Sequence, residues 1–480
     1  MIMQNVTLGM EPKRVLGFFE QICSIPHGSG NEERIADYLQ SFANLRGLYC
    51  VRDAKNNVFI RIEATEGYKD APAVLLQGHT DMVCEKISDS KHDFERDGLD
   101  IYIENGYLRA HGTTLGGDDG IAVAMMLALL DGELEEHPAI ECLFTVEEET
   151  GLGGAEAFDY SRVKARRMIN IDSDNELEVV AGCAGGVRTD VSVKHELSSA
   201  CGTLFEISVD GLFGGHSGVE INAGRTNAIM ALVGILKDIR AKTPIRLVSL
   251  SGGDKDNAIP RSCRAAFFAE DSSVIEETVN ASEAKIREAL SDEDKGLKIV
   301  LKTAVCEGEA HSAEHTDALL GFLSEIQVGV INMSRELEGL VEFSRNLGVI
   351  RISDGKARIT YSSRSAKSEQ IDLSISQVKE AAERISADIS CRGRYPGWDF
   401  VSDSPLREAY VKAYKEVIGG DVNTVVIHAG LECGIIKSKL DDMDIISVGP
   451  NMYNIHTPDE ALDLASVARV FEVIKAVLTA

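Results

Sequence analysis

The stretch Ala73-Val-Leu-Leu-Gln-Gly-His-Thr-Asp81 combines a short apolar run with two polar side chains directly after it. We predict a strand over Ala73–Gly78, because the apolar run is short and ends at a glycine. Similar strand patterns occur at Val58–Ile62, Ile140–Val146 and Met168–Ile171, with helical patterns between them. This alternation predicts an α/β fold with a mixed, mostly parallel sheet that is covered by helices.

Helical patterns lie between these strands. Alternating helix and strand patterns also return near the end of the chain. Helices are predicted at Glu11–Ile25, Asn31–Leu45, Asp119–Leu130 and Ser404–Ile418, and a further strand at Asp444–Val448. Polar residues that can carry chemistry come just after several of these strands. In open α/β sheets, ligands bind at that edge.

The middle of the chain has a different texture, which predicts an inserted α+β domain. A strand is predicted at Leu204–Val209, a helix at Gly224–Ala241, a hairpin around Asp354-Gly355 with arms Gly348–Ile352 and Ala357–Tyr361, and a helix at Gln377–Ala387. We therefore expect a two-domain protein. Its first domain comprises residues 1–186 and 397–480, and residues 187–396 form the insertion.

Composition excludes several classes of function. The 480 residues carry 49 Lys and Arg against 77 Asp and Glu, a net charge of −28, which disfavours nucleic acid and anionic membranes as partners. The longest apolar run, Ile121–Leu130, is far shorter than the roughly 20 residues of a membrane span. The first residues lack a secretory signal pattern, and the ten cysteines form no C-x-x-C pair. We therefore expect a cytoplasmic protein.

Five polar motifs could carry chemistry, although each has a simpler explanation when taken alone. A surface histidine, helix-capping aspartates, an acidic strand end, a turn aspartate and a loop histidine would account for them one by one. The motifs are His79-Thr-Asp81, Gly112-Thr-Thr-Leu-Gly-Gly-Asp-Asp-Gly120, Val146-Glu-Glu-Glu-Thr-Gly151, Asn170-Ile-Asp-Ser-Asp174 and the loop Gly449–Glu460 with His456. Together, two histidines and at least three carboxylates at one sheet edge form a ligand set suited to two zinc ions.

The order of the motifs resembles a known enzyme family. Besides the five motifs, the chain contains Gly-Gly-His-Ser-Gly at 214–218, Asn-Ala-Ile-Pro-Arg at 257–261 and His-Ala-Gly-Leu-Glu-Cys-Gly at 428–434. The sequence from about Pro26 to Glu460 resembles the aminoacyl-histidine dipeptidases. These are also called cytosolic non-specific dipeptidases or peptidase D, and they belong to the two-zinc family that includes aminoacylases and glutamate carboxypeptidases.

The resemblance implies a metal-dependent hydrolase of dipeptides, with Xaa-His or broad specificity. By motif position, His79 and Asp172 would hold one zinc ion, Glu149 and His456 the other, and Asp118 would bridge them. Cobalt or manganese could replace zinc. The resemblance also implies that the inserted domain is a lid through which two copies form a homodimer.

The resemblance further implies roles for residues that surround the metals. Asp81 would orient His79, and Glu148 would be the general base and acid for a water that bridges the zinc ions. The residues implied to contact the substrate are His216, as the oxyanion donor, Asn257, Arg364 and, from the catalytic domain, Gly430.

The sequence leaves open which aspartate bridges the metals, which glutamate is the base, and two alternative functions. Asp119 follows Asp118 where relatives usually have asparagine, so the bridging residue could be either aspartate. The run from Glu147 to Glu149 raises the same question for the base, and alignment on Thr150-Gly151 favours Glu148. The alternative functions are an N-acyl amino-acid deacylase or carboxypeptidase with the same zinc centre, and a non-catalytic zinc-binding relative.

Overall fold

A computed structural model describes residues 5–335, 337 and 339–480 and divides the chain into two compact units. The first unit comprises the chain up to Cys183, Trp398–Val426 and Leu431–Ala480, and the second comprises Ala184–Gly397 and Ile427–Gly430. The second unit is therefore inserted into the first. At the insertion, Cys183 and Trp398 exchange two backbone hydrogen bonds, each with an N···O distance of 2.9 Å.

The secondary structure alternates between helices and strands in the first unit and is dominated by long strands in the second. The helices are α1 (Lys13–Cys23), α2 (Glu33–Arg46), α3 (Gly117–Leu130), α4 (Gly153–Ala157), α5 (Ala228–Arg240), α6 (Ser272–Glu288), α7 (Ala313–Glu325), α8 (Ser368–Arg384), α9 (Pro405–Ile418), α10 (Glu432–Lys439) and α11 (Leu464–Leu478). The strands are β1 (Tyr49–Arg52), β2 (Val58–Ile62), β3 (Val74–His79), β4 (Ile101–Glu104), β5 (Tyr107–Ala110), β6 (Ile140–Thr145), β7 (Arg167–Asn170), β8 (Glu178–Cys183), β9 (Gly185–Lys194), β10 (Ser198–Asp210), β11 (Gly215–His216), β12 (Arg246–Gly252), β13 (Ala258–Ile259), β14 (Cys263–Ala269), β15 (Lys298–Ala310), β16 (Gly329–Met333), β17 (Val341–Ser353), β18 (Lys356–Ser365), β19 (Asp388–Tyr395), β20 (Asn423–Ile427), β21 (Asp444–Ser447), β22 (Met452–Tyr453) and β23 (Ala461–Asp463).

The first unit is built on an eight-stranded sheet with the order β1-β2-β6-β3-β7-β21-β8-β20. The four central strands β6, β3, β7 and β21 run parallel, and β2 and β8 flank them in antiparallel pairings. His79 lies opposite Thr145, and Asn170 lies opposite both Gln77 and Ser447. The carboxyl ends of these strands therefore lie side by side at one edge, as predicted.

Helix α3 supplies a large part of the core of the first unit. Its residues from Ile121 to Leu130 are all buried, because the helix is apolar on every face and packs between the sheet and α1. A small antiparallel sheet with the order β22-β23-β5-β4 carries the chain into the start of α3. No helix in the described part of the chain is long and apolar enough to cross a bilayer.

The second unit is an antiparallel sheet with helices α5, α7 and α8 packed on it, and α6 packs against α5. The strand order is β15-β10-β14-β12-β17-β18-β9-β19, and β16 pairs with β17. The hairpin between β17 and β18 turns at Asp354-Gly355, where both residues have positive φ angles of 51° and 69°. That conformation is the one that an Asp-Gly hairpin turn favours, so the predicted hairpin is confirmed.

Two helices of the second unit differ from their predicted bounds. Helix α5 begins at Ala228 rather than Gly224, because the Asn227 side chain accepts the N–H groups of Ile229 and Met230 and so caps the helix. Helix α8 begins at Ser368, nine residues before the predicted start, and ends at Arg384. The residue at its N-cap position is Lys367. Lysine is not a typical N-cap residue, so the sequence does not mark the start of this helix.

The short segment Ile427–Gly430 belongs to the second unit, although Gly430 was expected in the catalytic domain. The Ala184 backbone N–H donates to the carbonyl oxygens of Ile427 and Ala429, at 3.1 and 3.0 Å. The His428 ring also pairs with Ser344 Oγ at 2.7 Å. These bonds hold the segment on the inserted sheet.

Candidate metal centre and substrate-binding residues

His79 lies at the carboxyl end of β3, with its ring buried. Its Nδ1 lies 2.9 Å from the carbonyl oxygen of Asp81, which can only accept, so Nδ1 carries the proton and Nε2 is available as a ligand. Burial opposes protonation of the ring, but hydrogen bonds and charge from Asp118, Asp81 and Asp172 raise the pKa of His79 well above its usual value. The carboxylates around Nε2 therefore favour a positive charge on the ring or on a cation beside it.

Asp118 lies between the two predicted histidine ligands. Its Oδ1 is 3.0 Å from His79 Nε2, and its Oδ2 is 3.2 Å from His456 Nε2. Asp119, joined to Asp118 by a cis peptide bond, points elsewhere: its buried Oδ2 accepts the backbone N–H of His79 at 3.2 Å. Of the two neighbouring aspartates, Asp118 is therefore the one whose two oxygens face two different imidazoles.

Two groups of ligand atoms share Asp118. Asp172 follows β7 and has Oδ1 3.7 Å from His79 Nε2, while Glu149 follows β6 and has Oε1 2.9 Å from His456 Nε2. Within each group of three residues, the ligand atoms lie no more than 4.8 Å apart. This spacing gives two adjacent groups that could each hold a cation, with the nitrogen and carboxylate donors that zinc accepts.

The three consecutive glutamates after β6 have different environments. Glu147 points away from the centre, and both of its carboxylate oxygens pair with Lys55 Nζ at 2.7 and 2.8 Å. Glu148 is directed inward: burial raises the pKa of its carboxyl, His79 opposes this rise, and Glu432 and Glu149 add to it. Such a carboxyl is suited to carrying a proton near neutral pH.

Asp81 fixes the position of Glu148 as well as that of His79. Its Oδ1 and Oδ2 accept the backbone N–H groups of Glu148 and Glu149 at 3.0 and 3.3 Å, and Ser29 Oγ donates to Oδ2 at 2.8 Å. The carboxylate is 3.6 Å from His79 Nδ1, farther than the Asp81 carbonyl oxygen. Asp81 thus contacts the imidazole mainly through its backbone and the glutamate turn through its side chain.

Two further glutamates belong to the centre, and sequence reasoning assigned no role to them. Glu432 is fully buried and accepts from Gln77 Nε2 and Thr145 Oγ1, both at 2.6 Å, and burial raises its pKa to about 7. Glu460 is also buried and accepts the backbone N–H groups of three consecutive residues before Asp118. These are Leu115 at 2.7 Å, Gly116 at 3.2 Å and Gly117 at 2.8 Å. Glu432 lies in the motif at 428–434 and Glu460 in the loop at 449–460, and no other feature of the sequence marks them.

In the second unit, the contacts of His216 define its tautomer. Its Nδ1 accepts the backbone N–H groups of Gly218 and Val219, both at 3.3 Å, so the proton lies on Nε2. Burial lowers the pKa of the ring, and the charge of Arg364 lowers it further. The pairing of strand β11 with β13 brings Asn257 next to His216. The carbonyl oxygen of Asn257 accepts the backbone N–H of Ser217 at 2.9 Å.

Arg364 and Gly430 are both in contact with Tyr395, which the sequence did not single out. Arg364 is buried and donates from a guanidinium N–H to the Tyr395 hydroxyl at 2.9 Å. A side chain at Gly430 would meet the Tyr395 ring, since an added Cβ would lie 2.6 Å from its Cε2. Close packing against this aromatic ring explains the glycine.

Comparisons with known proteins define the class of this protein. The sequence model of the peptidase family M20/M25/M40 matches residues 75–480, and the chain belongs to that family of peptidases. It is 34% identical over 473 residues to the cytosol non-specific dipeptidase of Escherichia coli, with 98% of each chain covered. The crystal structure of an aminoacylhistidine dipeptidase from Vibrio alginolyticus is 32% identical and superposes with a TM-score of 0.91, covering 99% of this chain and 97% of that one.

A more distant neighbour shares the fold alone. An aminopeptidase from Bacillus cereus is 17% identical, with a TM-score of 0.56 and 97% of both chains covered. These findings confirm the predicted family, the predicted fold class and the prediction that the protein is a peptidase. The individual site residues and the domain boundaries stay predictions.

Proposed function

We propose that this protein is a metal-dependent dipeptidase that holds two zinc ions between the histidines and carboxylates of its first unit. The observation that carries the proposal is the position of Asp118, whose two oxygens lie 3.0 and 3.2 Å from the Nε2 atoms of His79 and His456. The names of the two relatives that are more than 30% identical support dipeptides as the substrate class.

The donor set fits zinc. His79, Asp118 and Asp172 would hold one ion and Asp118, Glu149 and His456 the other, so each has one imidazole and two carboxylates. Without cations, the three carboxylates of this set, Asp118, Asp172 and Glu149, would repel one another. Bound zinc ions would supply Lewis acidity, which makes a water more acidic and polarises the scissile carbonyl.

Glu148 is proposed as the group that moves the proton. It accepts a proton from the attacking water and delivers it to the amine that leaves when the peptide bond breaks. Two features support this role: the raised pKa of its carboxyl, and the two backbone hydrogen bonds by which Asp81 fixes the turn. Glu147 is unsuited to the task because Lys55 engages both of its oxygens.

Residues of the second unit are proposed to bind the substrate. His216 would donate from Nε2 to the oxygen that becomes negative, because its Nδ1 is already occupied as an acceptor. Arg364 would pair with the free carboxylate of a dipeptide, for which its planar guanidinium is suited. Asn257 and Gly430 are proposed to line the same subsite.

The cellular context is also proposed. A cytoplasmic location is supported by the name of the Escherichia coli relative and by ten cysteines that form no disulfide within the described residues. We further propose a homodimer formed through the second unit, on the basis of the family resemblance. Light scattering on the purified protein tests the dimer, since a monomer mass would exclude it.

The decisive experiment compares two neighbouring glutamates. We expect Glu148→Gln to lower kcat by at least about 10²-fold, because the general base is lost, while the zinc content measured by mass spectrometry is unchanged. The matched control is Glu147→Gln, which removes an exposed ion pair with Lys55 and should keep its activity. Equal losses in both variants, or an active Glu148→Gln variant, would reject Glu148 as the base.

The substrate class is tested in the same preparation. Xaa-His dipeptides, other dipeptides, tripeptides and N-acetyl amino acids are assayed side by side with zinc, after chelation and after exchange to cobalt or manganese. A dipeptidase prefers the dipeptides. A preference for N-acetyl amino acids or for longer peptides would instead identify a deacylase or a carboxypeptidase, and activity that survives chelation would exclude metal dependence.

A further inference from the structure

A second cluster of potential metal ligands lies in the second unit and consists only of histidines. His195 follows strand β9, His311 follows strand β15, and His315 lies in the first turn of helix α7. One ring nitrogen from each residue lies within 4.8 Å of those of the other two. No residue of the candidate dipeptidase centre contributes to this cluster, which we call the histidine triad.

The rings of the triad pack directly against one another. His195 and His315 are stacked, with ring centroids 4.0 Å apart and an interplanar angle of 10°. His311 meets His195 edge-on, with centroids 5.6 Å apart and an angle of 89°. Three imidazoles so close together cannot all be charged without strong repulsion, so the cluster favours neutral rings or a cation shared between them.

The hydrogen-bonding state of the rings is unusual. His311 has no exposed surface, yet neither of its ring nitrogens has a hydrogen-bond partner among the described residues. The Nδ1 atoms of His195 and His315 are also without a partner within that part of the chain. Buried polar atoms normally find partners, so these nitrogens indicate that the triad is built to hold something.

The backbones that carry the rings are well anchored. The His195 N–H donates to Gly355 O at 2.8 Å, and the His311 N–H donates to Leu247 O at 2.9 Å. The His315 N–H donates to the Ser312 hydroxyl, which caps α7, at 3.1 Å. Two rings therefore lie one residue beyond a strand and the third in the first turn of a capped helix, which limits their movement.

We propose that the histidine triad binds a zinc ion, separate from the proposed dipeptidase centre. Zinc accepts three imidazole nitrogens and one water in tetrahedral geometry, in which the nitrogens lie about 3.3 Å apart when each Zn–N bond is about 2.0 Å. To hold one ion in that geometry, the stacked rings of His195 and His315 would turn so that their nitrogen lone pairs converge. Burial and the two neighbouring imidazoles lower the pKa of His311 to about 4, so the ring is in its neutral, metal-binding form at pH 7.

The proposed ion would link parts of the second unit that are distant in sequence. His195 comes from the end of β9, whereas His311 and His315 come from the connection between β15 and α7. A metal ion that binds the folded unit but not the unfolded chain stabilises the fold. The unfolded chain does not bind it, because it does not hold the three ligands together. The ion is thus expected to act structurally, with no direct part in hydrolysis.

The test counts zinc in the full-length protein. Purified chain is stripped of metal, saturated with zinc chloride, passed through a desalting column and analysed for zinc per chain. We expect His195→Gln and His315→Gln, both at half-exposed positions, to bind one zinc fewer than wild type while dipeptide hydrolysis stays within about twofold. His137→Gln, a histidine outside both clusters, is the matched control and should keep the full zinc content.

A complementary variant separates this inference from the proposed function. His456→Gln removes a ligand of the dipeptidase centre, so it should lose activity and still show the zinc-dependent rise in melting temperature that the triad provides. In His195→Gln the zinc-dependent rise should be smaller than in wild type, because only the dipeptidase centre then contributes to it. If His195→Gln and His315→Gln retain the zinc content and the thermal shift of wild type, the triad holds no zinc; if His137→Gln loses as much zinc as they do, the loss is unspecific and the proposal is wrong.

Discussion

Replacement of Glu460 by glutamine tests whether a buried carboxylate positions the proposed bridging ligand. Glu460 accepts the N–H groups of Leu115, Gly116 and Gly117, the three residues that immediately precede Asp118. It touches none of the ligand nitrogens. We therefore expect Glu460→Gln to weaken metal binding and hydrolysis through displacement of Asp118, without removing any ligand.

The magnitude follows from the division of these hydrogen bonds between the two oxygens. Oε2 accepts two N–H groups and Oε1 accepts one, whereas glutamine has a single acceptor oxygen and an amide that only donates. At least one buried N–H then faces another donor, which costs about 1–3 kcal/mol. The remaining bonds also weaken, because a charged acceptor is replaced by a neutral one. Loss of such a supporting contact typically lowers metal affinity by about 10–100-fold.

The assay is zinc affinity by competition with a chelator, at pH 8 so that the Glu460 carboxyl, with its pKa raised to about 7 mainly by burial, is ionised in wild type. Urea unfolding of the metal-free protein provides the second readout. Glu156→Gln is the control, since Glu156 forms only an exposed ion pair with Lys439. A Glu460→Gln protein with the zinc affinity and the stability of wild type would refute the reasoning.

Three further outcomes are expected. Asp81→Asn should lower kcat by about 10-fold or more, because its amide cannot accept both the Glu148 and the Glu149 N–H, and a kcat equal to that of wild type would contradict this. Burial, Arg364 and His216 lower the pKa of His428 to about 3, below its unfolded value of about 6.5. The unfolded chain therefore binds the extra proton as pH falls below 6.5, so His428 by itself should destabilise the metal-free protein by about 2 kcal/mol between pH 7.5 and pH 5, measured as the difference between wild type and His428→Gln. His428→Gln should reduce that pH dependence in urea titrations. Chelation should abolish hydrolysis and lower the melting temperature, since uncompensated carboxylates around Asp118 then repel each other, and re-added zinc should restore both.

The sequence predicted that the candidate ligands would lie at one edge of the sheet because of a general property of parallel strands. His79 ends a buried strand, Glu149 and Asp172 follow two others, and strands that run parallel bring their carboxyl ends to one edge. The apolar run of α3 and the Asp-Gly hairpin were equally readable, since their patterns are local. These predictions needed no knowledge of side-chain direction.

The finer details were beyond the sequence because they depend on local backbone geometry or on distant partners. Which of Asp118 and Asp119 faces the histidines is decided by the backbone at the start of α3, and both have the same side chain. Glu432 and Glu460 meet partners up to 355 residues away in the chain, so no local pattern marks them. The contact between His79 and Asp81 is made by the Asp81 backbone carbonyl, so the type of side chain at position 81 could not predict it.

The two backbone hydrogen bonds between Cys183 and Trp398 also show how the first unit accommodates a long insertion. The points where the insertion leaves and re-enters the first unit are paired as in the arms of a hairpin. A hairpin turn can be replaced by a long insert at modest entropic cost, because its ends are already held together and the closure term grows only slowly with length. The same geometry marks the site at which an engineer would replace residues 184–397 by a short turn.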